Sequence, residues 1–380
     1  MRAKGQSFGL ALLGREHFVV LAVMALGLAL SLLMLAITGA DLREALPALF
    51  NGALGDARAI EETLSQSIPI MFVGLGVSIG LRAGLFNIGG EGQIYVSALA
   101  AIVVSQALPI GNPVLAVALV LVVGVMAGGL WAGAAGWMRA YLGMNEVITT
   151  ILLNGIGILL AGWAVHGPLR DRGGGGYPWS EKIGEPFRLP VLDVGPVTVP
   201  SGFLLALGAA FVVWILLERT VVGVELRTLG DSPDASAYAG LKVTLLVIGA
   251  MVCAGALAGV GGVIELAGKQ ERLSDFFSPG YGFTAIAVAL VGNARAGGVA
   301  LSAIFFGALT AGASSMERFA QVPAATSLVA QAIIVALLVL ARSDRLQRWV
   351  RARRQISRML EEQSTNHGLP EDLASRGRGA

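Results

Sequence analysis

Three polar segments interrupt an otherwise apolar chain, and they hold most of the residues that could bind or guide a solute. The first is GLFNIGGEGQ, Gly84 to Gln93. Gly89, Gly90 and Gly92 permit non-helical backbone with free amides, and Asn87 and Gln93 can hydrogen-bond to those amides or to a passing molecule. For Glu91, solute contact competes with two plainer roles, a headgroup-level loop residue or a carboxylate tied to local backbone. The second is GMNEVITTILLNG, Gly143 to Gly155. Asn145 starts a helix, Glu146 sits in its positive first turn, and Thr149 recurs one turn later on the face of Asn145. Capping competes with ligand binding there. The third, SPGYGFTAIAVALVGN, runs from Ser278 to Asn293. Tyr281 and Phe283 offer flat faces for an aromatic or sugar ring, or, with Phe277, serve as interfacial anchors.

Enzyme signatures are missing around these segments. GVIELAGK, Gly262 to Lys269, approaches a phosphate-binding loop but has one residue too many between its glycines, and Gln270 stands where a magnesium-binding Ser or Thr belongs. GLGVSIG, Gly74 to Gly80, is a poor dinucleotide fingerprint inside an apolar run. His17, His166 and His367 are too far apart in sequence to suggest a metal site, and the single cysteine, Cys253, excludes an intrachain disulfide. The sequence therefore reads as a non-enzyme with no cofactor or metal bound directly.

The elements that must position the polar segments are membrane spans. Of 380 residues, 55% are hydrophobic and only 14% charged, with a mean hydropathy of +0.73; a soluble domain carries about 25% charge. Apolar runs recur near 18–37, 64–81, 93–108, 113–138, 147–165, 201–217, 241–265, 282–292, 297–315 and 325–341. The expectation is an all-α, polytopic bundle of about ten membrane elements. The run at 282–292 is too short to span and, with NARAGG after it, predicts a half-length or broken helix near 282–300. The first run is near span length without a small-x-small cleavage site, so it reads as a retained helix and not a signal peptide.

Basic residues orient the bundle. Arg2, Lys4 and Arg15 precede the first run and RSDRLQRWVRARR, Arg342 to Arg354, follows the last, which predicts both ends on the cytoplasmic side. The expected organisation is a cytoplasmic N-terminus at 1–17, a permeation domain at 18–341 with an external loop at 166–200, and a basic, partly disordered tail at 342–380. Lys and Arg form no single basic face, so no nucleic-acid partner is expected. Small residues at four-residue spacing, such as Gly124 and Gly128 or Gly255 and Gly259, predict close helix packing.

The segment at 218–240 contains a short helix with a full set of end signals. Ser232 is an N-cap, Pro233 fits the first turn, Asp234 favours the positive end, and Gly240 can stop the helix in the left-handed region. A capped helix at a membrane surface, about 233–239, is a rigid lever for a soluble partner.

GLFNIGGEGQ, NEVITTILLN, GDSPDASAYAG with Leu241, and GYGFTAIAVALVGN, in that order, resemble the permease subunits of ABC importers, in the nucleoside-type branch related to ribose and simple-sugar permeases. The resemblance covers the second span to the last. It implies a bacterial plasma-membrane protein in membrane lipid, working beside a second, related permease chain, with ATP and magnesium on separate cytoplasmic ATP-binding subunits and solute delivered by an extracytoplasmic lipoprotein. It makes Ser232, Pro233, Asp234, Ala235, Tyr238 and Gly240 the coupling helix that docks on the ATPase. Asn87, Glu91, Gln93, Asn145, Glu146, Thr149, Tyr281, Phe283 and Asn293 then become the expected solute pathway. Simple sugars and flavin-like solutes are the alternatives to nucleosides. An ion-coupled secondary transporter needs a chain of ionisable residues inside the spans, which are almost free of them. A membrane-embedded enzyme or scaffold is the remaining alternative and lacks a clustered nucleophile, base or metal set.

Overall fold

The computed structural model describes residues 42–320, except 174 and 196, and residue 329. The run at 18–37, all but one residue of the run at 325–341, and the tail lie outside the described residues. Each of the eight remaining runs forms a helix.

Helix α1 (Leu42–Phe50) leads through a π-helical turn (Asn51–Gly55) into α2 (Ala57–Arg82), which Asp56 caps by accepting from the Ala59 amide at 2.7 Å. α3 (Gly90–Ala107) and α4 (Pro113–Leu142) follow, and α5 (Glu146–His166) begins after a left-handed Gly143. Two antiparallel strands, β1 (Val191–Val194) and β2 (Val197–Pro200), precede α6 (Ser201–Arg219), α7 (Val221–Asp231) and the six-residue α8 (Pro233–Tyr238). α9 (Val243–Glu265) is prolonged by a π-helical turn (Leu266–Gln270); α10 (Tyr281–Val291) and α11 (Ala296–Ala320) complete the set. The sequence had not signalled the small hairpin within an otherwise helical chain.

Among the described residues six helices are long and apolar enough to cross a membrane: α2, α4, α5, α6, α9 with its π-turn, and α11. The expectation of about ten membrane elements is not confirmed by this count. α3 is excluded because Glu91 and Gln93 occupy its first turn, and α10, at 11 residues, reaches only about 16 Å.

Burial shows which helix is central. The most apolar window of α2 is 83% buried, against 28% in α4 and 33% in α5 and α6. α2 therefore forms the axis, with α9, α10 and α11 packed on it. The outer helices turn Val122, Met126, Leu130, Leu152, Leu159 and Phe211 outward, as lipid contact requires. α4 and α9 approach backbone to backbone, since a Cβ on Gly128 would collide with the Gly255 carbonyl and one on Gly259 with the Gly124 carbonyl. The spacing of these glycines had predicted that approach.

At the Lys269 end of the bundle, the loop before α6 lies as a strap over residues 271–274. Ser180 N donates to the Leu273 carbonyl at 2.8 Å, Ile183 N to that of Glu271 at 2.7 Å, and Leu189 N to that of Ala267 at 2.9 Å. Arg272 pairs with Asp171 at 2.7 Å and stacks over Trp179. The hydrogen bond from Lys182, then the charge of Arg188, hold the Glu271 carboxyl below the usual carboxylate range. A depressed carboxyl stabilises the fold above its unfolded pKa, and that contribution is lost as pH falls through the lowered value. Limited proteolysis of the strap should therefore be constant from about pH 6 to 8 and accelerate below about pH 4; a rate that does not change on acidification excludes this role for Glu271.

A polar break where two helices begin

α2 ends at Arg82, and Gly84, at φ +71, turns the chain back into the bundle. A Cβ there would stand 3.0 Å from the Cα of Gly230 in α7, so both the conformation and the neighbour favour glycine. Residues 85–89 are non-helical, and α3 starts at Gly90 against Val73, past the midpoint of α2. Non-helical backbone at this depth must find its hydrogen bonds within the protein.

Two side chains of α5 supply them. Asn154 donates from Nδ2 to the Ile88 carbonyl and accepts at Oδ1 from the Gly92 amide, both at 2.7 Å. Thr150 Oγ1 accepts from the Ile88 amide at 3.3 Å. On the same stretch, Asn87 Oδ1 accepts from the Gly89 amide at 2.8 Å and from Gln93 Nε2 at 3.1 Å. Asn87, Gln93, Thr150 and Asn154 are all buried.

Glu91 faces the opposite way, toward the start of α10. Its Oε2 accepts from the Gly282 amide at 2.7 Å. A Cβ on Gly282 would collide with the Glu91 amide nitrogen, so the first turns of α3 and α10 touch through backbone. Both are positive helix ends, and the Glu91 carboxyl lies between them, where an acidic group is favoured. Ser278 completes the α10 start by accepting from the Gly280 and Tyr281 amides at 3.3 and 3.1 Å.

Of the expected pathway residues, the structure joins Asn87 to Gln93 on the α5 side of the break and sets Glu91 against the start of α10, which Tyr281 opens; the others lie apart. Asn145 Oδ1 caps α5 through the Val147 amide at 2.9 Å, Glu146 pairs with Arg139 at 3.2 Å, and the Thr149 hydroxyl returns to the Glu146 carbonyl at 3.1 Å. One residue further, about 100° around the helix, Thr150 meets the break. Phe283 is half-exposed. Asn293 lies exposed at the far end of α10 in the left-handed region, φ +58, where Asn is tolerated.

Sequence reading missed a second polar group at the Lys269 end. Tyr281 Oη stands 2.7 Å from Gln66 Oε1 and 3.3 Å from Glu265 Oε1. Gln270 Nε2 donates to Glu265 Oε1 at 2.9 Å, and Glu62 Oε1 accepts from Gln66 Nε2 at 2.7 Å and Lys269 Nζ at 2.8 Å. Glu265, 3% exposed, is an ionisable group buried at the last position of the run 241–265, in spans otherwise almost free of such groups. The spacing of Glu62 and Gln66, one helical turn apart, was the available signal. The segment GVIELAGK is helix and π-turn, not a phosphate-binding loop.

α8 has the form its end signals predicted. Ser232 Oγ accepts from the Ala235 amide at 3.2 Å, and Gly240 adopts φ +80. Pro233, Asp234, Ala235 and Tyr238 are exposed, Tyr238 almost completely.

The profile of the family described as the permease component of the branched-chain amino acid transport system matches residues 59–340. The glucose ABC transporter permease protein TsgB13 of Haloferax volcanii is 34% identical over 86% of this chain and 87% of its own. The guanosine ABC transporter permease protein NupP of Bacillus subtilis is 34% identical over 84% of this chain and 92% of its own. The nucleoside ABC transporter permease protein NupB of Lactococcus lactis is 32% identical over 77% and 82%, respectively. No solved structure matches. The matched region takes in the polar break, the capped helix α8 and all six spanning helices, and the chain belongs to this family of membrane transport permeases.

Proposed function

We propose that the chain is the membrane-spanning subunit of an ATP-driven ABC importer that carries nucleosides into the cytoplasm by alternating access. The observation that carries this reading is the exposed, fully capped helix α8, because the α7 that leads into it touches the break at Gly84 through Gly230. A push on α8 has a direct route to the polar segment. In this reading the Arg82 end and both termini face the cytoplasm, and the Lys269 end with its strap faces outside. ATP and magnesium bind separate subunits docked at Ser232 to Gly240, a second related permease completes the membrane part, and an extracytoplasmic lipoprotein delivers the solute.

Closure of the ATPase pair moves α8, and the helices rock between two states that ATP and the loaded binding protein favour in turn. Asn87, Gln93, Thr150 and Asn154 keep the break satisfied as it moves. A sugar is the second reading, favoured by the 34% identity to the glucose permease of Haloferax volcanii.

The complex reconstituted in vesicles with its partner subunits should take up guanosine only when ATP is supplied; uptake without ATP excludes the importer. Preferential uptake of glucose selects the second reading. Ala235→Trp, at an exposed position and therefore harmless to the bundle, is expected to leave ATP hydrolysis while lowering uptake at least about tenfold, a loss of docking free energy near 1.4 kcal/mol. Wild-type uptake per ATP in that variant removes α8 from the coupling role.

A further inference from the structure

We propose that Tyr281, Gln66 and Glu265 form a latch that holds α2, α9 and α10 together at the Lys269 end and must part when the permease opens on that side. The proposal rests on the importer reading above. Tyr281 is the first residue of α10, and its hydroxyl bridges Gln66 of α2 and Glu265 of α9. Gln270, in the π-turn, donates to the same Glu265 oxygen, while Lys269 and Glu62 tie the same turn to α2 a helical turn above Gln66. Gln66, Glu265 and Tyr281 are each at least nine-tenths buried. One helix of each pair is a spanning helix, so parting them separates whole elements and not one flexible side chain.

Such a group has only two stable conditions. Closed, the Tyr281 hydroxyl, both polar atoms of the Gln66 amide and Glu265 Oε1 have partners within the protein; parted, the same atoms must be hydrated, because a buried amide or carboxyl without a partner is costly. The latch therefore opens only with entry of water, which is the outward-open state of an importer. A half-open, dry arrangement is disfavoured, and this makes the gate bistable. Tyr281 also precedes Gly282, the residue whose amide holds Glu91. Parting the latch displaces the start of α10 and so disturbs the contact between the two helix starts. The gate and the break are thus one mechanical unit. Hydrogen-bonding residues of Tyr, Gln and Glu type suit this role better than an apolar seam, which would close without any defined register.

The test uses the full chain with its partner subunits in membranes, with Cys253→Ser removing the single cysteine. Ala267→Cys, in the buried π-turn, reports on the Lys269 end, and Ala83→Cys, buried at the Arg82 end, reports on the other. Each is labelled with a membrane-impermeant maleimide from its own side. Tyr281→Phe keeps the ring and removes the hydroxyl, and is expected to raise the labelling rate at position 267 about tenfold, the loss of one hydrogen bond to a charged or strongly polar group, while leaving the rate at 83 unchanged or lower. Gln66→Leu should do the same and serves if the first variant does not fold. Equal acceleration at both positions means general loosening and overturns the latch, as does no acceleration at 267. ATP-independent guanosine uptake by the unsubstituted complex would overturn the importer reading separately.

Discussion

Gly282→Ala is expected to abolish transport and to lower the yield of correctly assembled permease several-fold. The added Cβ would collide with the Glu91 amide nitrogen and lie 2.7 Å from its Cα and 2.8 Å from its Oε2. The first two are backbone atoms and cannot rotate away. Either α10 or α3 must shift, and every such shift breaks the bond from the Gly282 amide to Glu91. Overpacking in a close-packed interior costs about 1–3 kcal/mol, and the lost hydrogen bond leaves a buried donor unsatisfied, about 1–3 kcal/mol more. At Gly280, next to the site, an added Cβ would meet open space, so it provides no such obstacle beyond its left-handed conformation. Quantifying detergent-extracted, monodisperse complex and vesicle uptake side by side checks the expectation; normal assembly with normal uptake would show that the two helix starts do not meet as described.

Glu91→Leu is expected to reduce uptake by two orders of magnitude or more, and Glu91→Gln by much less. Leucine removes the oxygen that accepts from the Gly282 amide and leaves two positive helix ends facing each other without the carboxyl between them. The combined cost is about 2–4 kcal/mol, from an unsatisfied buried amide and the loss of a favourable group at each helix end. Glutamine retains an acceptor of the same reach and loses only the acid, which at a helix start is worth about 0.3–1 kcal/mol, rising to about 2 when partly buried. The order of uptake should be wild type, Gln, Leu, with assembly following the same order. If Gln abolishes uptake while the complex assembles normally, the acid itself acts on the solute; equal, wild-type uptake in both variants reduces Glu91 to a packing residue.

Helix positions were legible wherever composition alone decides them. The run near 282–292 was too short to span, and α10 is that half-length helix; Ser232, Pro233 and Gly240 specify α8 to within a residue. What periodicity cannot give is which side of an apolar helix faces the protein and which faces lipid, since both sides are hydrophobic. NEVITTILLN contains Thr149 and Thr150 side by side, and nothing local distinguishes them. Only the position of α3 makes Thr150 and Asn154, one turn apart, the pair that holds the break. The partners of Tyr281 were hidden for another reason. Gln66 and Glu265 are about two hundred residues apart in sequence, and each looks like an isolated polar interruption until α2 and α9 are packed together. The strap was legible as a loop, while its pairing to residues 271–274 depends on backbone hydrogen bonds that leave no mark on residue type.

The contact between Gly84 and Gly230 has a kinematic consequence. When two protein segments meet through long side chains, rotamer changes absorb the first ångström of relative displacement, and the joint has play. Here the touching surfaces are the backbones themselves, with no Cβ on either side. No rotamer exists to take up slack. In the proposed coupling, a displacement of α7 would therefore pass to the turn at Gly84 with no side-chain play to absorb it.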